Sequence, residues 1–310
     1  MTERDRGSAA RWGSAAGARW AREVGGGRRG YTREVPADRI AENLAYINWT
    51  VLAGLAVGGF WAVALGRLRT SATRGYLAFT AFCAAIFAVL AYLSDTALPV
   101  GLADSAVRAD PAWEVPRRAA LAAIAVIGFA YAVAVARGRS ARLLAVAGVV
   151  AGCAALAAGA LGWGGGLLGA APLAIQLGVL ALATGGVFAS MILGHWYLVT
   201  PKLSEAPLIL FSRLLLAIVG LQLVLFGVWV AAGTGGGGPF SALTGPWALF
   251  VWLRLIVGIL FPLAVSWAAV QTARSRSMES ATGLLYIDVG SIAAGTILAA
   301  GLYFGAGMLV

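Results

Sequence analysis

The chain has 310 residues, of which 60% are hydrophobic and only 12% charged. A soluble domain carries roughly 25% charged residues, so this composition excludes a water-soluble globular fold and points to a membrane protein. The formal charge of +10 comes from 23 basic residues against 13 acidic ones. The positions of the basic residues mark membrane topology instead of a surface for nucleic acid. Outside the amino-terminal tail, most of the arginines sit in short gaps between apolar runs.

Residues 1–43 form a polar tail rich in Arg, Gly and Ala, with no apolar period that could fold a core; the expectation is disorder. Eight apolar runs follow, at 44–66, 75–97, 119–136, 143–163, 172–199, 207–232, 246–270 and 281–304. Each is near the ~20 residues that a helix needs to cross a bilayer. Barrel strands would alternate in polarity and these runs do not, so the expected fold is an all-α polytopic bundle of about eight spans over residues 44–310. The first run is too long for the apolar core of a signal peptide and has no cleavage site.

Cys83 and Cys153 lie inside apolar runs and read as small buried hydrophobes, not as a disulfide or a metal pair. Trp49, Trp163, Trp196, Trp229, Trp247 and Trp267 fall near run ends, where an aromatic belt is expected. Gly54 and Gly58 in the first span, and Gly301 and Gly305 in the eighth, are spaced for close helix contact.

Basic residues set the expected orientation. Loops one, three, five and seven hold nine: Arg67, Arg69, Arg74, Arg137, Arg139, Arg142, Lys202, Arg274 and Arg276. Loops two, four and six hold three: Arg108, Arg117 and Arg118. The odd loops are therefore expected in the cytoplasm of a bacterial plasma membrane, with both chain ends outside. Nine arginines in the tail oppose this, and a start at Val24 or Val35 would shorten that tail. The second loop, 95–118, reads as a solvated cap, with a partner-docking or gating loop as the alternative.

Four ionisable residues lie within spans, where they are costly and become functional candidates. At ~1.5 Å per residue, His195, Arg213 and Asp288 lie roughly 6, 9 and 10 Å from the cytoplasmic end and form one layer. Arg254 enters about 12 Å from the opposite face, roughly 8 Å short of Asp288. Arg213 is thus the expected partner of Asp288. Two stripes, Arg213/Ala217/Gly220 and Asp288/Ser291/Gly295, are expected to face the bundle interior.

A single histidine leaves too few imidazoles for bis-histidine haem or a His-rich metal site. Met278 is the remaining candidate for a second haem ligand opposite His195. No nucleophile elbow, metal cluster or carboxylate pair points to an enzyme, so no catalytic residue and no metal ligand is assigned.

The segment Gly194-His195-Trp196-Tyr197-Leu198-Val199-Thr200-Pro201, with residues 277–287, resembles uncharacterised bacterial multi-helix membrane proteins that carry a GHWYLV-x-P segment. The resemblance implies the class and brings no activity, cofactor or partner with it.

Two functional expectations follow. One is a small-solute or proton-linked transporter working through the His195, Arg213 and Asp288 layer, with Arg254 in addition. Two intramembrane arginines against one aspartate would favour an anion or a carbonyl-bearing ligand. The other is a non-catalytic membrane subunit of a respiratory or redox complex, in contact with quinone or beside haem. The expected partners are the lipid bilayer and other membrane proteins or further copies of the chain.

Overall fold

The computed structural model describes residues 36–99, 106–107, 109–200, 203–235 and 237–310, which form helices and no strand. The chain divides into two compact units, 1–38 and 39–310. Of the first, only residues 36–38 are described, as the opening of helix α1 (Pro36–Glu42). Residues 36–42, expected as the end of the tail, are therefore helical, and Asn43 Nδ2 donates back to the Arg39 carbonyl at 2.9 Å. The rest of the expected tail lies outside the described residues, as do Arg108 and Lys202.

Among the described residues, eight helices are long and apolar enough to cross a membrane: α2 (Leu44–Arg69), α3 (Arg74–Thr96), α4 (Glu114–Ala136), α5 (Arg142–Trp163), α6 (Leu167–Val199), α7 (Ala206–Ala232), α8 (Ala248–Arg274) and α9 (Met278–Ala306). The protein is an all-helical polytopic membrane bundle. Local signals set the boundaries. Thr73 Oγ1 accepts from Tyr76 N to cap α3. Pro207 stands in the first turn of α7, where its missing N–H costs nothing, and Gly233 ends that helix at φ 67°.

Contacts between loops fix the up-and-down order. At one end Arg276 pairs with Glu205, joining loops seven and five, and residues 68–71 share a hollow with Ala206, Pro207 and Leu210. At the other, Asp110 N donates to Gly162 O at 2.8 Å, joining loops two and four. Thr234 Oγ1 donates there to Leu309 O at 2.9 Å. The odd loops thus share one end, and the even loops share the other.

Where it is described, at residues 109–118, loop two is folded rather than a solvated cap. Asp110 caps a single 3-10 turn, Pro111–Trp113, by accepting from Ala112 N at 3.0 Å. Helix α4 starts at Glu114, five residues before the apolar run, because its basic first turns have a partner. Asp95, at the last turn of α3 and fully buried, accepts from Arg117 and, at 2.9 Å, from Arg118 Nε. The Arg117 guanidinium also lies 4.5 Å from the ring centre of Trp163, a cation–π contact.

Trp163 belongs to a packed aromatic group rather than a belt. It meets Trp49 edge-on at 4.6 Å and Phe304 at 5.4 Å, and Tyr46 stacks on Phe304 at 4.9 Å. Trp49 and Trp163 are buried, whereas Trp267 does face outward. The cysteines also differ from expectation: both are free thiols, but Cys83 is half-buried and Cys153 is exposed on the outer surface of α5.

The centre of the bundle is the crossing of α2 and α6. A Cβ on Gly58 would fall 1.8 Å from the Ala181 carbonyl oxygen, and one on Gly185 would fall 2.1 Å from Gly59 N. Backbone lies directly on backbone there, as the small-residue spacing anticipates. Gly178, on the same helix α6, has open space where its Cβ would go. Gly58→Ala should therefore lower the unfolding temperature in detergent, by an overpacking cost of about 1–3 kcal/mol or more. Gly178→Ala should match or exceed the wild type, since alanine favours helix by up to ~1 kcal/mol. Equal behaviour of the two variants would contradict this crossing.

Candidate functional site: a polar seam between four helices

Polar side chains gather where α6, α7, α8 and α9 meet. Thr184 on α6 and Thr296 on α9 share a hydrogen bond of 2.8 Å, and Gln176 Nε2 on α6 donates to the main-chain O of Val310 at 3.2 Å. Two of the four expected ionisable residues belong to this seam; the other two do not.

Asp288 is fully buried. Ser266 Oγ on α8 donates to its Oδ2 at 2.5 Å, and Ser291 Oγ, one turn on along α9, donates to the Asp288 main-chain O at 3.1 Å and lies 3.4 Å from Oδ1. The Asp288/Ser291/Gly295 stripe faces inward as expected, with all three residues buried. No ion pair to Asp288 occurs among the described residues. A serine hydroxyl both donates and accepts, so this pair of hydroxyls accommodates the carboxyl with or without its proton.

Arg213 is not the partner. It is exposed on the outer face of α7, along with Ala217, and Gly220 has open space where a Cβ would go. The expected Arg213–Asp288 pair is replaced by the two serines. The Arg213/Ala217/Gly220 stripe was assigned to the wrong face because residues seven apart line up on any face of a helix. The inward face of α7 carries Phe211, Leu215, Val219, Gln222 and Phe226 instead.

His195 likewise faces outward, and its neighbours explain why that segment is packed as it is. Gly194 rests on α9, where a Cβ would meet Thr282 Oγ1 at 2.7 Å. Trp196 lies over Gly75 of α3, where a Cβ would meet its ring at 2.6 Å. Tyr197 is buried and its hydroxyl donates to the Ser204 carbonyl. The segment joins three parts of the bundle, and its imidazole is the group left pointing out. The expected layer of His195, Arg213 and Asp288 is therefore divided: Asp288 is interior, the other two are peripheral. Met278 lines a hollow with Tyr197, Leu198, Glu205 and Arg276. Near it, hydrogen bonds from the main chain at Glu205 and from Arg276 hold the Glu205 carboxyl below its usual range.

Arg254 is the second interior charge, 2% exposed on α8. Its Nη1 donates to Gly258 O at 2.9 Å and its Nη2 to Gln222 Oε1 on α7 at 2.7 Å. Three features of the sequence make room for it. Pro262 has no N–H, so the Gly258 carbonyl loses its usual donor four residues on. The helix widens into a π-turn at Ile256–Leu260, and the arginine side chain supplies the missing donor. On α9, Gly295 comes so close that a Cβ would lie 2.7 Å from Gly258 Cα and 2.8 Å from Arg254 Nη1. Asp288 lies seven residues from Gly295, so about 10 Å along α9 separates the two charges.

Sequence reasoning missed Gln176, Gln222, Gly258 and Ser266, and also the buried Asp95–Arg117 pair. The Arg254/Gly258/Pro262 spacing of four and four was a readable signal for one of these; the glutamine contacts join separate helices and had none.

No family model matches the chain, and neither a curated protein nor a solved structure is significantly similar to it. The fold and the seam define an integral membrane protein with buried ionisable groups.

The separation of Arg213 from Asp288 has a measurable consequence. In a double-mutant cycle of thermal stability, Arg213→Gln and Asp288→Asn should be additive within about 0.5 kcal/mol. A coupling on the order of 3–5 kcal/mol would restore the buried ion pair.

Proposed function

We propose that this protein is a transporter-like integral protein of a bacterial plasma membrane, handling a small solute or coupled to protons, with Asp288 as its proton-handling group. The observation that supports this reading is the Asp288 site: a buried carboxyl, without a basic partner among the described residues, between two rotatable hydroxyls. Intramembrane carboxyls of this kind belong to proton relays and ion pathways. Arg254 supplies a positive group farther along the same seam. Among the described residues, eight helices are long and apolar enough to span a membrane, which suits a protein whose work lies within the bilayer.

The outward positions of His195 and Arg213 favour a second reading. An imidazole and a guanidinium on the outer surface of the bundle suit contact with a quinone or with another membrane subunit, as a non-catalytic subunit of a redox complex would need.

For orientation, the odd loops are cytoplasmic. Two of the three arginines of the even loops, Arg117 and Arg118, are tied to Asp95, against nine basic residues in the odd loops, while the nine arginines of the tail oppose this orientation. In intact cells, an impermeant thiol reagent should label Thr234→Cys and spare Ser71→Cys. The reverse pattern would invert the topology.

The proton reading is tested by a pH jump on proteoliposomes adsorbed to a solid-supported membrane. The wild type should give a transient displacement current that Asp288→Asn removes and His195→Gln retains. A current undiminished in Asp288→Asn would take this carboxyl out of proton handling.

A further inference from the structure

Loops one and three lie at the same end of the bundle and bring six arginines to the ends of four helices. Arg67 and Arg69 close α2, Arg74 opens α3, Arg137 and Arg139 follow α4, and Arg142 opens α5. Arg74 reaches across to loop three, where a Cβ on Gly138 would lie 3.1 Å from its Nη1. Arg67 sits close enough to Tyr131 on α4 for its charge to act on the phenol. No acidic residue occurs in 43–94 or 115–204. At this end Glu205 is taken by Arg276, and Glu279 lines the hollow beside that pair. None of the six arginines has an ion pair among the described residues. Arg67 Nε and the Tyr131 hydroxyl are also buried without a hydrogen-bond partner.

We propose that this end of α2, α3, α4 and α5 is a binding site for the phosphate headgroup of an anionic phospholipid. Topology asks for basic residues in a loop; it does not ask for six of them to converge without a counter-charge. Guanidinium groups gathered in this way repel one another, and a phosphodiester that accepts from two or more of them offsets that cost. Arg67 is set apart from the rim. It is half-buried two residues inside the end of α2, while the other five are exposed. A water molecule would satisfy its N–H groups and leave the charge uncompensated. The occupant is a lipid and not a free phosphate because the arginines stand over an apolar face. Phe79 and Phe82 on α3 and Val133 on α4 are exposed, about 6–12 Å inward from Arg74 and Arg137, where acyl chains would lie. Basic pockets between membrane helices hold acidic headgroups in this way. The inference depends neither on which leaflet the odd loops face nor on the proton reading of Asp288.

The test uses the full chain, purified and delipidated in detergent, with phosphatidylglycerol or phosphatidylcholine of matched acyl chains added back. Native mass spectrometry should find phosphatidylglycerol retained in preference to phosphatidylcholine. Phosphatidylglycerol should raise the unfolding temperature by about 4 °C at ten times its dissociation constant; phosphatidylcholine and inorganic phosphate should not. Arg67→Gln should weaken phosphatidylglycerol binding by about tenfold or more. Arg74→Gln, an exposed change that leaves the fold intact, should weaken it by about fivefold. Arg274→Gln removes an equal charge at the same end but outside the group, and should bind as the wild type does. A wild type without preference for phosphatidylglycerol overturns the proposal, as does an equal response to inorganic phosphate. It also fails if Arg67→Gln and Arg74→Gln lose no more than Arg274→Gln, which would mean diffuse attraction to the surface.

Discussion

Within a bilayer there is no water to satisfy a polar group, so every N–H, C=O and charge must find its partner inside the protein. The helices of this bundle meet that requirement along their own length, and what remains is to bring them together without help from a hydrophobic drive. Close approach does this. At Gly58, Ala181 and Gly185, α2 and α6 touch backbone to backbone, and dispersion over that contact takes the place of apolar burial. The two helices at this crossing are also the most enclosed of the eight. The remaining helices pack around them, with α7 and α8 presenting most of their surface outward.

The same requirement explains why the interior charges look as they do. Pro262 removes a donor from α8, the freed Gly258 carbonyl takes Arg254 Nη1, and the helix opens into a π-turn at that point. A residue that breaks the ladder and a residue too polar for the membrane thus satisfy each other in part. Glycines at 258 and 295 are what allow it, since any side chain at either would overlap the guanidinium or the facing backbone. Asp288 is handled differently, by hydroxyls from two helices. Each charge is hydrogen-bonded, and neither has an opposite charge among the described residues. By contrast, Asp95 and Arg117 near the even-loop end form a buried ion pair and lean on an aromatic wall. That arrangement serves to lock α3 to α4.

The bundle itself was legible in the residues. Eight continuous apolar runs give eight helices, and their limits shift by a few residues where a cap or an ion pair extends them, as Asp95 does for α4. The glycine spacing in α2 named its contact face, and the Asp288/Ser291/Gly295 stripe named the inner face of α9. The face of α7 was misread. A seven-residue stripe through Arg213 is as regular as the true inner stripe through Gln222, and in a helix that is apolar all round, periodicity carries little contrast. Position along a run does not bring two side chains together; rotation about each helix axis decides it. That rotation put Ser266 on Asp288 and turned Arg213 and His195 outward. The contacts of Gln176 and Gln222 connect separate helices, so no local pattern announces them.

Two buried ionisable groups held apart, each by its own hydrogen-bond partners, differ in kind from a single buried ion pair. The central claim is therefore the separation itself, with Asp288 on Ser266 and away from Arg213. Disulfide cross-linking reads it directly in a background where Cys83 and Cys153 are replaced by serine. The pair Ser266→Cys with Asp288→Cys should cross-link α8 to α9 under mild oxidation. The pair Arg213→Cys with Asp288→Cys should remain reduced. Efficient cross-linking of the second pair, with none in the first, would contradict the account.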